Sequence, residues 1–277
     1  MTTWSPRALL AMMWPLVLLS LCVSNVSAAA NQGVLLEELT WLEAEQLLTP
    51  DSVVVIPLGA AAKEHGPHLK LKNDLILAEY YKGRVLAQSN VIIAPTLNYH
   101  FYPAFVEYPG STGLRLETAR DMVVDICRSL ARFGPRRFYV LNTGVSTVRA
   151  LKPAAEVLAA DGIVMTFTEL KSIEPVESKV RQQEGGTHAD EIETSMILYM
   201  QPAAVDMKKA VKDYRPSVGS GLTRDPKSTT STYSASGVWG DATLATREKG
   251  RIVTEAMVAQ ILADIEKLRG TGIAAKN

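Results

Sequence analysis

The 277-residue chain carries 29 basic and 29 acidic residues, so its formal charge is zero. With no basic stripe and no long run of like charge, nucleic acid and anionic membrane surfaces are poor partners. Of the two cysteines, Cys22 falls in an N-terminal leader and leaves Cys127 alone, which excludes an intrachain disulfide and a cysteine-based zinc site.

The leader is read first. Arg7 supplies a positive start, residues 8–23 form an apolar run of about 16 residues, and Val26-Ser27-Ala28 offers small residues for cleavage after Ala28 or Ala29. Residues 1–29 are therefore expected to be a signal peptide and the product periplasmic or secreted, with no stable membrane association after cleavage. Residues 30–277 suit a single α/β domain large enough to bury a core without covalent staples. A β-branched run predicts a buried strand over 52–57. Leu75, Leu77, Ala78, Tyr81, Val85 and Leu86 carry helical spacing through 74–88, and a strand follows at 91–94. The connection 98–113 holds Tyr99, Phe101, Tyr102, Phe105 and Tyr108; a loop of that length and composition reads as a lid or binding wall. Further helices are expected at 117–133, 147–160, 187–200 and 242–268, with strands at 137–142 and 163–168. Residues 214–240, rich in Ser, Thr and Gly, read as an irregular surface excursion or flap. This alternation predicts an α/β fold built on a mostly parallel sheet rather than a sandwich.

Three of the four histidines lie in two short segments. One is Glu64-His65-Gly66-Pro67-His68, with Asp74 nine residues after His65; the other is Gly185-Gly186-Thr187-His188-Ala189-Asp190-Glu191-Ile192-Glu193. Imidazoles and carboxylates ligate borderline divalent metals and also move protons, so the two segments point to metal-assisted hydrolysis. The first follows a buried strand, which places His65 and Asp74 at the carboxyl edge of the sheet, where open α/β folds put ligands. Asp74 at a helix start also fits a simple cap. His68 reads as a supporter rather than a ligand. Thr187 and Asp190 resemble a capping box, which would set His188 in the first helical turn, Glu191 one turn below it on the same face, and Glu193 elsewhere.

Together the segments resemble the creatininase family of creatinine amidohydrolase-like metal hydrolases. The resemblance runs through Ile56-Pro57-Leu58-Gly59, Glu64 to Leu69, Asp74, Tyr108-Pro109-Gly110-Ser111-Thr112 and His188 to Ser195. It implies a homohexameric, three-layer α/β/α hydrolase in which paired zinc, manganese or iron ions activate water against an amide. It further implies His65 as a ligand, Asp74 as the bridging carboxylate, His188 as acid/base and Glu193 as its supporter. Two positions depart from the pattern. Lys63 stands where the family has a metal-binding Glu, with Glu64 one place later, and Gly144 stands where Asn142-Thr143 should lead to a ligating histidine. Lys63 either puts its ammonium where one cation would sit or turns to solvent.

The expectation is an amidohydrolase acting on a small amide, lactam or formamide. It would hold no more than one divalent metal per subunit, zinc first, through Glu64, His65 and Asp74, completed by His188 or water. His188 or Glu191 would carry the proton. Creatinine itself is not the expected substrate, because Gly144 removes part of the site. A second reading is an exported, non-catalytic binder of a small polar ligand with a degraded metal site. A structural or interaction role leaves the histidine clusters unexplained.

Overall fold

The structure, a computed structural model, describes residues 1–2, 32–219 and 221–272. The leader expected over 1–29 lies outside the described residues beyond its first two. Asn31–Asn277 is one compact unit. No described helix is long and apolar enough to cross a membrane.

The chain runs β1 (Val34–Leu35), α1 (Trp41–Leu47), β2 (Val53–Leu58), α2 (Asn73–Gln88), β3 (Ile92–Ile93), α3 (Leu116–Ala131), β4 (Arg137–Asn142), α4 (Val148–Ala160), β5 (Val164–Phe167) and α5 (Glu174–Val180). It closes with α6 (Glu191–Met200), the short strands β6 (Lys212–Asp213), β7 (Leu222–Thr223), β8 (Thr232–Tyr233) and β9 (Gly240–Asp241), and α7 (Arg247–Arg269). The main sheet is parallel throughout, in the order β1-β3-β2-β4-β5.

Side chains alternate across a strand, and the inner strands β2 and β4 therefore feed two cores. Val53, Val55, Tyr139 and Leu141 meet α2, α6 and α7 on one face; Val54, Ile56, Leu58, Phe138 and Val140 meet α3 and α4 on the other. These are the three layers expected. The chain leaves β2 through α2 toward β3 but leaves β4 through α4 toward β5, on the opposite face and in the opposite direction. The carboxyl ends of β2 and β4 thus flank the crevice where connections diverge, the usual ligand position in such sheets.

Several boundaries differ from those read in the sequence. Helix α6 begins at Glu191 rather than at 187, and the last helix begins at Arg247 after a single 3-10 turn, Ala242–Leu244. Helix α1 was not expected because it buries no residue. Its one sequence signal is the capping box between Thr40 and Glu43. Helices α6 and α7 touch at Gly250, where an added Cβ would collide with the Ser195 carbonyl of α6. Gly250→Ala is expected to lower stability by about 3 kcal/mol, read as a reduced midpoint in chemical denaturation.

Candidate active site

The loop after β2 brings Lys63, Glu64 and His65 into the crevice, and the first turn of α2 brings Asp74. Asp74 is no cap: the N-cap position is Lys72, with no side-chain cap bond. Its carboxylate is fully buried and meets two partners, Lys63 Nζ at 2.7 Å from Oδ2 and His65 Nε2 at 2.8 Å from Oδ1. Burial alone would raise the Asp74 pKa, but the Lys63 and His65 charges outweigh it and hold the carboxyl well below the usual carboxylate range. His65 Nδ1 lies 3.0 Å from the Lys63 carbonyl oxygen, to which it donates. The Lys63 ammonium packs on aromatic faces, 4.9 Å from the Phe105 centroid and 5.6 Å from that of Tyr102. The long aromatic connection is thus a wall of the site, as expected.

His188 arrives from the other side of the crevice. Gly186, at φ +99°, passes so close to the Trp239 carbonyl that no side chain fits. Trp239 N–H donates to the His188 carbonyl at 2.9 Å, and His188 N–H donates back at 3.3 Å. Ala189 then takes a left-handed turn, φ +48°, and Asp190 caps α6 by accepting from the Ile192 and Glu193 amides, both at 3.0 Å. The turn puts His188 outside the helix. Its ring lies tilted against those of Phe105 and His65, with centroids 4.2 and 5.0 Å away, and its Nε2 lies 3.0 Å from a Glu64 carboxylate oxygen. Burial disfavours the imidazolium, but the hydrogen bond and charge of Glu64 prevail and raise the His188 pKa. Burial likewise opposes the Glu64 carboxylate, and His188 overcomes it, lowering the Glu64 pKa.

The trio expected to hold metal does not gather as such. Glu64 faces His188, while Asp74 is taken up by Lys63 and His65. Among the described residues, the group able to converge on one ion is His65, His188 and Glu193, with ligand atoms within 4.8 Å of one another. Glu193 joins it because α6 starts at Glu191: Glu193 Oε2 accepts from Ala189 N–H at 2.6 Å and stands 3.8 Å from His188 Nδ1. The expectation that Glu193 points elsewhere fails with the helix start on which it rested. Two imidazoles and a carboxylate are a donor set of catalytic zinc sites, with a fourth position left open. The residues present would fit one divalent ion once His65 gives up a proton and its Nε2 is released from Asp74 Oδ1.

Glu191 is not brought to this centre. Its buried carboxylate accepts from the Gln182 and Gln183 amides at 2.8 and 2.7 Å and pairs with the Lys249 ammonium of α7, so every oxygen is committed to holding the loop against that helix. The expected proton-carrying role is withdrawn. His68 Nε2 meets Thr194 Oγ1 at 2.7 Å, and burial pushes its pKa down to about 4, so a neutral ring braces α6.

At the end of β4, the Asn142 side chain donates to the Gly144 carbonyl at 2.8 Å and accepts from Gly144 N–H at 3.1 Å and Thr147 Oγ1 at 2.6 Å. A Cβ at Gly144 would meet Thr147 Cγ2 at 3.0 Å and the Tyr102 ring at 3.5 Å. These neighbours occupy the space a ligating side chain would need.

The described residues of 214–240 take the second of the two readings expected for the stretch, a flap over the crevice. Val238 is fully buried, Leu222 packs with Tyr102, Phe105 and Tyr108, Tyr108 Oη donates to the Ser234 carbonyl at 2.8 Å, and Gly237 lies against the Glu64 carboxylate. Trp239 and Gly237 had no sequence signal beyond membership of that stretch.

A protein-family comparison agrees with the geometry. The creatininase family, described as creatinine amidohydrolase, matches residues 37–265. The chain belongs to the creatininase family. It is 28% identical over 252 residues to the creatinine amidohydrolase of Pseudomonas putida, covering 83% of this chain and 95% of the relative. It is also 28% identical over 231 residues to the mycofactocin precursor peptide peptidase of Mycobacterium tuberculosis (strain CDC 1551 / Oshkosh), covering 80% and 87%. A solved mutant creatininase of Zn–Zn type superposes with a TM-score of 0.71 at 26% identity, over 87% of this chain and 100% of that one. These two relatives are named as C–N hydrolases, an amidohydrolase and a peptidase, and solved creatininases are described as Mn and Zn–Zn types.

An imidazole must lose a proton to ligate a metal. Because Glu64 raises the His188 pKa, metal affinity is expected to weaken as pH falls through that raised value and to strengthen above it. Zinc titrations by calorimetry at a series of pH values check the slope.

Proposed function

We propose that this chain is a metal-dependent amidohydrolase that cleaves the C–N bond of a small amide, lactam or formamide. One divalent ion, zinc, is held per subunit by His65, His188 and Glu193. The observation that carries the reading is the convergence of those three side chains in a crevice walled by Phe105 and covered by Gly237 and Trp239. A divalent ion held there would polarise a carbonyl and acidify water.

The chain's own groups do the rest. Glu64 accepts from His188 Nε2 and leaves Nδ1 facing the cluster, the carboxylate–histidine arrangement that fixes the tautomer of a ligating imidazole. The Glu64 carboxylate is the group able to take a proton and return it to a leaving nitrogen. Phe105 and Val238 exclude water, which strengthens each charge in the centre. His188 and Glu64 are both buried.

Hydrolysis of a panel of small amides, lactams and formamides, followed by released amine, tests the reading. Turnover that is lost with chelator and restored by zinc supports it; no turnover by zinc-loaded protein on any member of the panel overturns it in favour of a ligand-binding role. Export is part of the proposal: mass spectrometry of the native protein is expected to find its N-terminus at Ala29 or Ala30, and a retained Met1 would contradict this.

A further inference from the structure

We propose that Lys63 is a built-in cation whose ammonium takes the position beside Asp74 that a second metal ion would occupy, so that the centre holds one ion and not two. The inference deepens the metal-centre reading above and rests on it.

A carboxylate with no exposed surface is tolerable only when its charge is compensated and its oxygens are bonded. Asp74 is such a group, and the chain itself compensates it: Lys63 lies at one oxygen and His65 at the other. The ammonium is then backed by the rings of Phe105 and Tyr102. Aromatic faces stabilise a monovalent cation but offer a divalent ion no lone pair of the kind a ligand supplies.

The neighbouring wall offers no substitute ligand. Gly144 has no side chain, and the Asn142 and Thr147 polar atoms are bonded to one another and to the Gly144 backbone. A second divalent ion at Asp74 would have to expel Lys63 from a buried position and would then find too few donors. A related creatininase, by contrast, is of Zn–Zn type. The replacement has a consequence for folding: the Asp74 charge is balanced in the metal-free chain, so this half of the centre needs no metal to form.

Zinc content after dialysis, measured by elemental analysis on the purified chain and on Lys63→Glu, tests the assignment. The variant is expected to retain one equivalent more than the wild-type chain, because a carboxylate there repels Asp74 until a cation joins them. The assignment is overturned if the variant retains no more zinc than wild type.

Should Lys63→Glu fail to fold, Lys63→Met decides. It is expected to melt several degrees below wild type in chelator, because buried Asp74 loses its balancing cation; a melting point equal to that of wild type overturns the proposal. The absolute wild-type content separates the two readings. No zinc in wild type with an added equivalent in Lys63→Glu sinks the metal-centre reading and keeps Lys63 as the cation. One equivalent in both does the reverse.

Discussion

His188→Ala is expected to lower turnover of the zinc-loaded chain by about 10²-fold or more, the usual scale for loss of a positioned acid/base or ligand group. Three contacts converge on this ring: Glu64 on Nε2, Glu193 near Nδ1 and the Phe105 face. Alanine removes all three at once and leaves Glu64 buried without its partner, so proton transfer and ion binding fail together. His188→Gln should recover little, because a neutral amide offers the ion no imidazole lone pair. The fold is expected to persist, since the segment is held through backbone bonds to Trp239 and through the Asp190 cap, neither of which uses the ring. The measurement is kcat on the most reactive member of the amide panel, with zinc content and circular dichroism recorded on the same sample. Undiminished kcat in the variant would remove His188 from the mechanism.

The layered architecture is legible in the sequence because it is written in burial. β2 and the Phe138–Leu141 part of β4 are covered on both faces and read as apolar runs, and β4 falls at 137–142 as expected. Helices α2 and α3 show their periodicity because each turns one stripe to a core. Helix α1 leaves Trp41 and Leu42 exposed and so shows no stripe.

The residues of the site were legible as chemistry, but their grouping was not. Thr187 and Asp190 resemble a capping box, yet Ala189 turns left-handed between His188 and Asp190, a conformation for which alanine gives no cue. That single turn delays α6, moves Glu193 into the cluster and leaves Glu191 facing Lys249. The alternatives for Lys63 were also visible, but the choice between them depends on Phe105 and Tyr102, about forty residues away in sequence. Only the folded crevice shows that two rings back the ammonium while Asp74 faces it.

That same ion pair supplies the largest expected effect on stability. Asp74→Ala is expected to lower unfolding free energy by about 3–5 kcal/mol, the range for removing one member of a buried charged pair. The loss is large because Lys63 stays behind, buried and unpaired, and because His65 loses the oxygen that orients its Nε2. The pair itself contributes less than this figure, since bringing two charges out of water offsets much of their attraction. The double variant Lys63→Met with Asp74→Leu is accordingly expected to regain most of what Asp74→Ala loses. The pH dependence follows from the direction of the Asp74 shift. Its folded pKa lies below the unfolded value, so its contribution is fully present above about pH 4 and is lost as pH falls through the folded pKa. The gap between wild type and Asp74→Ala should therefore be constant at neutral pH and should narrow only in strong acid. Urea denaturation of metal-free protein between neutral pH and the acid limit measures both: a gap under about 1 kcal/mol at neutral pH, the scale of an exposed ion pair, would show that Lys63 and Asp74 reach water and do not form the buried pair described.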